Sequence, residues 1–229
     1  MKITRKNFLA LGAAGAAAAW AGQARGELVQ TVHEWTQTDF LKAVSRPCRY
    51  RQVYDITAIH DGIFLNNIKN SLNGFQFGFG IASREFNVVA ALHGLANLLN
   101  FDDAMWEKYK LGEFAALKDP KTQKPATRNI FYSSKANPSD RNPDSEQSVY
   151  QDHTIQGLMR RGVTFLLCHT ATEEQSRKLK ARLGLAAPSE TIVKDLLGHT
   201  IPRSIVVPSM VATVAILQLE HHFSYITLA

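Results

Sequence analysis

Short apolar runs that recur along the chain constrain its fold more than any other feature. FNVVAAL (86–92) and VTFLLC (163–168) are nearly all apolar and end after six or seven residues. A run that short and continuous reads as a strand buried on both faces, since a helix needs more residues and shows a stripe. RQVYDITA (51–58), SIVV closed by Pro208, and FSYITL (223–228) carry the β-branched and aromatic residues that strands favour. Helical patterns lie between them. Ile63, Leu65, Ile68, Leu72 and Phe75 form one roughly helical stripe. LANLLNFDDAMWEKYKLGEF reads as helical, with the Asp102-Asp103 pair suited to a helix start. SVYQDHTIQGLMRRG is expected to be a helix capped by Ser148 and stopped at Gly162. ATEEQSRKLKARLG is acidic at its start and basic at its end, as a helix dipole favours. SETIVKDLLGH, with Ser189 as a cap, and SMVATVAILQLEHH complete the series. Strands alternating with helices predict an α/β fold: a mostly parallel sheet of about five strands with helices on both faces.

Right-handed crossovers would bring the C-terminal ends of such strands to one edge, where these folds bind ligands. His60, His93, Cys168 and His169 each follow the end of an expected strand, so one rim would hold three imidazoles and a thiol. Cys168 is the candidate catalytic residue. A helix expected from about Ala171 would place positive partial charge beside the sulfur and favour its thiolate. His169, His93 and His60 are candidate lining residues. His60, His93 and Cys168 also form an alternative metal set, for zinc or copper. The plainer reading makes Cys168 an inert core thiol and each histidine a loop or cap residue. Asp102, Asp103, Trp106 and Tyr109 could line a pocket, but helical spacing of this kind more often marks structure. No Ser-His-acid pattern, Gly-rich phosphate loop or paired carboxylates stand out, which disfavours hydrolase and nucleotide chemistry.

The chain has 229 residues, 45% of them hydrophobic, which suits one globular domain with or without a tail. Its start, MKITRKNFLALGAAGAAAAWAGQARG, reads as an export signal over 1–24 rather than as fold. A basic region precedes an apolar stretch from Phe8 to Ala21, and small residues precede a cut after Ala24. Thr4-Arg5-Lys6-Asn7-Phe8-Leu9 is similar to the twin-arginine motif, with Lys6 replacing the second arginine. The expected location is therefore the periplasm, with a general secretory route as the alternative. The apolar stretch is too short and too rich in Ala and Gly for a membrane span. Without Lys2, Arg5 and Lys6 the chain keeps 23 basic side chains against 20 acidic ones. No Lys/Arg block with interleaved aromatics occurs in the sequence, which argues against nucleic-acid binding. Residues 25–50 form a leader that holds Cys48 between Pro47 and Arg49. Residues 51–229 then form a single domain, interrupted at 118–147 by a polar excursion rich in Pro, Ser, Asn and charge, expected to be exposed. In an oxidising compartment Cys48 and Cys168 could pair, although the expectation is that they stay apart, with Cys168 free and partly accessible.

Beyond these physical signals, the chain resembles the DsrE/DsrF-like family of small α/β sulfur-relay proteins. The resemblance rests on LMRRG, VTFLLC with Cys168 at its end, the helix ending KARLG, NVVAALHG, and VVPSMVATVAILQLEHHFSYI. It covers most of residues 51–229, but not the signal, the leader or the polar excursion. It implies that Cys168 accepts and passes on a persulfide. It further implies a homo-oligomer and a protein partner that donates or accepts sulfur. The family's relay proteins mostly work in the cytoplasm, so an exported member departs from the pattern. Two other readings stand beside this one: a metal- or small-ligand-binding module built on the rim histidines, and a non-catalytic interaction protein.

Overall fold

The computed structural model describes Trp35 and residues 37–228. The expected export signal, 1–24, and the first part of the leader lie outside the described residues. Five strands form one sheet: β1 (Tyr50–Ile56), β2 (Phe86–Leu92), β3 (Thr164–Cys168), β4 (Ile205–Val207) and β5 (Ser224–Leu228). Every neighbouring pair is parallel, and the order is β4-β3-β2-β1-β5. The α/β class expected from the alternation of runs and stripes is therefore the observed one.

The order explains the layers. From β1 to β4 the chain steps across the sheet in one direction, so right-handed crossovers lay the connecting helices on one face. It then returns past β1 to form β5, which puts the last helix on the opposite face. The first face buries Tyr54, Ile56, Ala90, Leu92, Phe165 and Leu167. Over it lie α2 (Ile63–Asn73), α3 (Asp103–Lys108), α5 (Ile155–Arg160) and α7 (Ser189–Gly198), which supply Leu65, Trp106, Leu158 and Leu196. The short α4 (Leu111–Phe114) adds Leu111. The second face buries Val53, Val89, Ala91, Leu166, Cys168 and Val207. There α1 (Gln37–Val44) contributes Phe40 and Val44, and α8 (Met210–Leu219) contributes Met210, Val214 and Leu217. The long α6 (His169–Leu183) starts at the rim and reaches both clusters, through Ala171 and Leu179. Strict alternation along β1, β2 and β3 assigns each residue to a face, as the two-residue period of a strand requires. Part of the leader thus belongs to the packed core. Among the described residues, no helix is long and apolar enough to cross a membrane.

Three local expectations need correction. The segment from Ser148 to Gly162 is helical only over Ile155–Arg160, and its cap is Thr154, whose Oγ1 accepts the Gly157 N–H at 3.1 Å. Asp152 blocks any earlier start, because its Oδ1 accepts from both the N–H and the hydroxyl of Thr154. Ser148 instead turns the chain, with its Oγ accepting the Tyr150 N–H at 3.1 Å. In α7 the cap position is Pro188, so Ser189 opens the helix and does not cap it.

The polar excursion is also less exposed than its composition predicts. Asn129 is buried, donates from Nδ2 to the Leu99 carbonyl at 2.8 Å, and donates its backbone N–H to Asp103 Oδ1 at 2.8 Å. Ile130 and Phe131 pack against the first cluster. Asp119, Asn137, Asp140 and Asn142 each accept the N–H two residues on, so this polar segment satisfies its own backbone. Lys121, Lys124 and Arg141 between these turns are exposed.

Candidate functional site

The junction between β1 and β5 is where the sheet order reverses. Asp55, one residue from the end of β1, reaches across this junction. Its Oδ2 accepts from the Tyr225 hydroxyl of β5 at 2.7 Å. Its Oδ1 lies 2.7 Å from Nε2 of His93, the residue that follows β2. Three neighbouring strands thus contribute one row, Tyr225–Asp55–His93. The His93 hydrogen bond foremost, and the Tyr225 hydroxyl after it, hold the Asp55 carboxyl below its ordinary range against the opposing effect of burial. The same contact with Asp55 raises the Tyr225 phenol. The sequence marks His93, at a strand end, but neither of its partners. Asp55 reads there as one polar residue inside a strand, and only the observed pairing of β5 beside β1 brings Tyr225 to it.

Cys168 ends β3 and caps α6. Its Sγ accepts the Ala171 N–H of α6 at 3.4 Å and the Met210 N–H of α8 at 3.3 Å. Two helix starts thus aim N–H groups at one sulfur. The expected accessibility does not hold: Cys168 is 4% exposed, because α8 closes over the end of the second face. Burial raises the thiol above its ordinary value, opposed by the backbone N–H groups of Ala171, Met210 and Thr170.

The β2–β3 register runs from Val89↔Thr164 to Leu92↔Leu167, so one step further His93 stands across from Cys168 on the neighbouring strand. Alternation puts both on the second face, with Ala91 and Leu166. Asn97, fully buried, fixes this neighbourhood. Its Oδ1 accepts the Cys168 N–H at 2.9 Å, and its Nδ2 donates to Thr172 Oγ1 at 3.0 Å and Gln175 Oε1 at 3.2 Å. A lone Asn after a strand carries no signal in sequence, so Asn97 was not anticipated.

The other expected site residues fall elsewhere. His60 is exposed in the turn after β1, with φ of 45°. His169 is buried in the first turn of α6, with Nδ1 3.4 Å from Glu173 Oε1. Among the described residues no three His, Cys, Asp or Glu side chains come together to hold a metal ion, so His60, His93 and Cys168 do not assemble as a ligand set. The reason is positional, since His60 leaves the rim on a turn while Cys168 is sealed under α8. Asp102 caps α3, Trp106 fills the core, and the Tyr109 hydroxyl donates to Asp195 at 2.6 Å, so these residues serve structure.

Fold and rim together define an all-parallel α/β protein with a helix-capped thiol at the end of β3 and a carboxylate-held imidazole just after the neighbouring β2. Comparison with protein-family models, with curated proteins and with solved structures found no match to this chain.

Proposed function

We propose that this chain is an exported, DsrE-like protein that carries sulfur on Cys168. The observation that carries the reading is the convergence of the Ala171 and Met210 N–H groups on Sγ, which favours a thiolate once one forms. His93, oriented by Asp55, is the base on the same face. In the proposed step His93 takes the thiol proton, and the thiolate attacks the outer sulfur of a persulfide donor, R–S–SH. The donor S–S bond breaks, a Cys168 Sγ–S bond forms, and the leaving RS⁻ recovers the proton from His93. The products are the Cys168 persulfide and RSH. Because Cys168 is covered, transfer follows local opening at the start of α8, during which the Ala171 N–H of α6 stays on the sulfur and the Met210 N–H returns on closing. Export over residues 1–24 to the periplasm belongs to the same reading, and N-terminal sequencing of the exported protein should begin at Arg25. So does self-association, supported by the outer side of α8, where Val211, Ile216 and Leu219 face solvent.

Incubation with glutathione persulfide, followed by intact and peptide mass measurement, tests the reading. The expected result is one added sulfur atom mapped to Cys168, absent in Cys168→Ala and slower to appear in His93→Gln. A second reading, the non-catalytic interaction protein, has the burial of Cys168 on its side. No sulfur on native Cys168, or sulfur on Cys48 alone, would decide for it.

A further inference from the structure

The opposite edge of the sheet, where the strands begin, has a different character. After α2 the chain reads GFQFGFG, and Gly74–Gly78 forms a single π-helical turn closed by the Phe79 N–H on the Gly74 carbonyl at 2.9 Å. Phe75 is the anchored ring. It stacks on Phe86, at the start of β2, with centroids 5.2 Å apart, and lies 5.5 Å from Tyr50, at the start of β1. Phe77 and Phe79 are not buried: they are 46% and 79% exposed. A Cβ added at Gly74, Gly78 or Gly80 would meet nothing within 4 Å, so the turn stands clear of the rest of the fold.

Two arginines stack on rings that pack against this turn. Arg49 lies over the Tyr50 ring at 5.0 Å, and Arg161 over Tyr150 at 5.4 Å, while Tyr150 packs edge-on against Phe77 at 4.9 Å. The protruding turn is thus flanked by a stacked guanidinium on each side. Arg84, Arg160 and Arg203 precede β2, β3 and β4, and all three are exposed. None of these five arginines forms an ion pair among the described residues. Glu85 is the acidic side chain nearest in sequence to the β2 entry, and its carboxylate turns back to accept the Ala82 N–H.

We propose that this edge docks on an anionic lipid surface, with Phe77 and Phe79 inserted at the headgroup–acyl boundary and the arginines on lipid phosphates. Arg161 is half-buried and donates to the Tyr150 carbonyl, so the exposed Arg49 and Arg84 at the strand entries are the cations that can meet phosphate. Apolar side chains on a protruding turn with such cations on the same edge suit an interface that is apolar inside and negative at its surface. Base-specific readout is a poorer fit, because the tip Phe77-Gly78-Phe79-Gly80 offers no side chain that hydrogen-bonds a base edge. Stacking of a single strand on the two rings is the competing outcome that the test below separates. This inference is independent of any chemistry at Cys168.

Co-sedimentation of the full chain with phosphatidylcholine vesicles, with and without phosphatidylglycerol, tests it. Both wild type and variants keep residues 1–24, so their difference reports the turn. The expected result is salt-sensitive binding to phosphatidylglycerol vesicles. The Phe77→Ser/Phe79→Ser pair should weaken it by about tenfold or more, the scale set by losing two buried rings. Arg49→Glu/Arg84→Glu should weaken it comparably. Both pairs are exposed, and an unchanged thermal transition would confirm that the variants fold. No binding, or binding that the Phe pair leaves unchanged, overturns the proposal. So does equal or tighter binding of a single-stranded oligonucleotide, which would mark a general polyanion surface.

Discussion

Asp55 and Tyr225 share a 2.7 Å hydrogen bond across the junction of β1 and β5, and this contact ties the last strand of the chain to the site. Because Asp55 also holds His93, the carboxylate organises the rim in its ionised form. A carboxyl whose pKa lies lower in the folded than in the unfolded chain stabilises the fold above its unfolded value. That contribution disappears as pH falls through the folded value. Asp55 is such a group. Asp55→Asn should therefore lower stability at neutral pH, and the two proteins should converge on acidification below about pH 4. Urea unfolding at a series of pH values reads this, and a gap that stays constant down to acid pH contradicts it.

The thiols make a separate prediction. Cys48 lies just before β1 begins, whereas Cys168 lies where β3 ends, so an all-parallel sheet holds them at opposite edges. A seven-residue strand spans about 20 Å, well beyond the roughly 7 Å between Cα atoms that a disulfide allows. Both cysteines are free. Thiol titration of the unreduced, denatured chain should return both. In the native protein, iodoacetamide should label half-buried Cys48 well before buried Cys168, as peptide mapping would show. Equal native rates would mean that α8 does not cover the sulfur.

These cysteines also show how much of the molecule the sequence displays. Position along the chain was legible: FNVVAAL is β2 residue for residue, and Cys168 stands at the end of β3 as VTFLLC implied. Period and composition act locally, so a single sequence carries them. Burial at the rim was not legible, because it depends on α8 returning from β4 to cover Cys168 from 42 residues away. Tyr225 meets Asp55 across 170 residues, and no local pattern encodes that pairing. The excursion is legible in part, since most of it is exposed as its composition implies. Polar composition signals a loop, but Asn129 uses its polarity to bond the core backbone.

Asn97 makes a third prediction. Asn97→Ala would remove the acceptor for the Cys168 N–H and leave Gln175 Oε1 without the donor it now meets. Each buried group left unsatisfied costs about 1–3 kcal/mol, so the loss should exceed that of an ordinary surface change. Asn97→Asp keeps the acceptor but sets a buried carboxylate oxygen against Gln175 Oε1, and should cost at least as much as Asn97→Ala at neutral pH. If the network also positions the rim, Cys168 should label faster in Asn97→Ala. Denaturant titration and alkylation rates measure the two effects separately.

Two glycines with nearly the same backbone provide the last test. Gly94, directly after His93, has φ of 52°, and Gly184, ending α6, has φ of 62°. Both lie in the left-handed region, where an L side chain costs about 1–2 kcal/mol. Their surroundings differ. A Cβ at Gly184 would meet nothing within 4 Å, whereas one at Gly94 would lie 2.6 Å from the Thr57 carbonyl oxygen. That oxygen is backbone and already accepts the Ala96 N–H at 3.2 Å, so it cannot retreat without breaking the link between the ends of β1 and β2. Gly184→Ala should therefore cost only the backbone strain. Gly94→Ala should cost that strain plus a steric displacement of the segment carrying His93, at least about 2 kcal/mol in total. The displacement should also loosen the His93–Asp55 contact and flatten the pH dependence that Asp55 gives the wild type. Equal destabilisation by the two substitutions would mean that the β1–β2 link yields, and that Gly94 serves only as a turn.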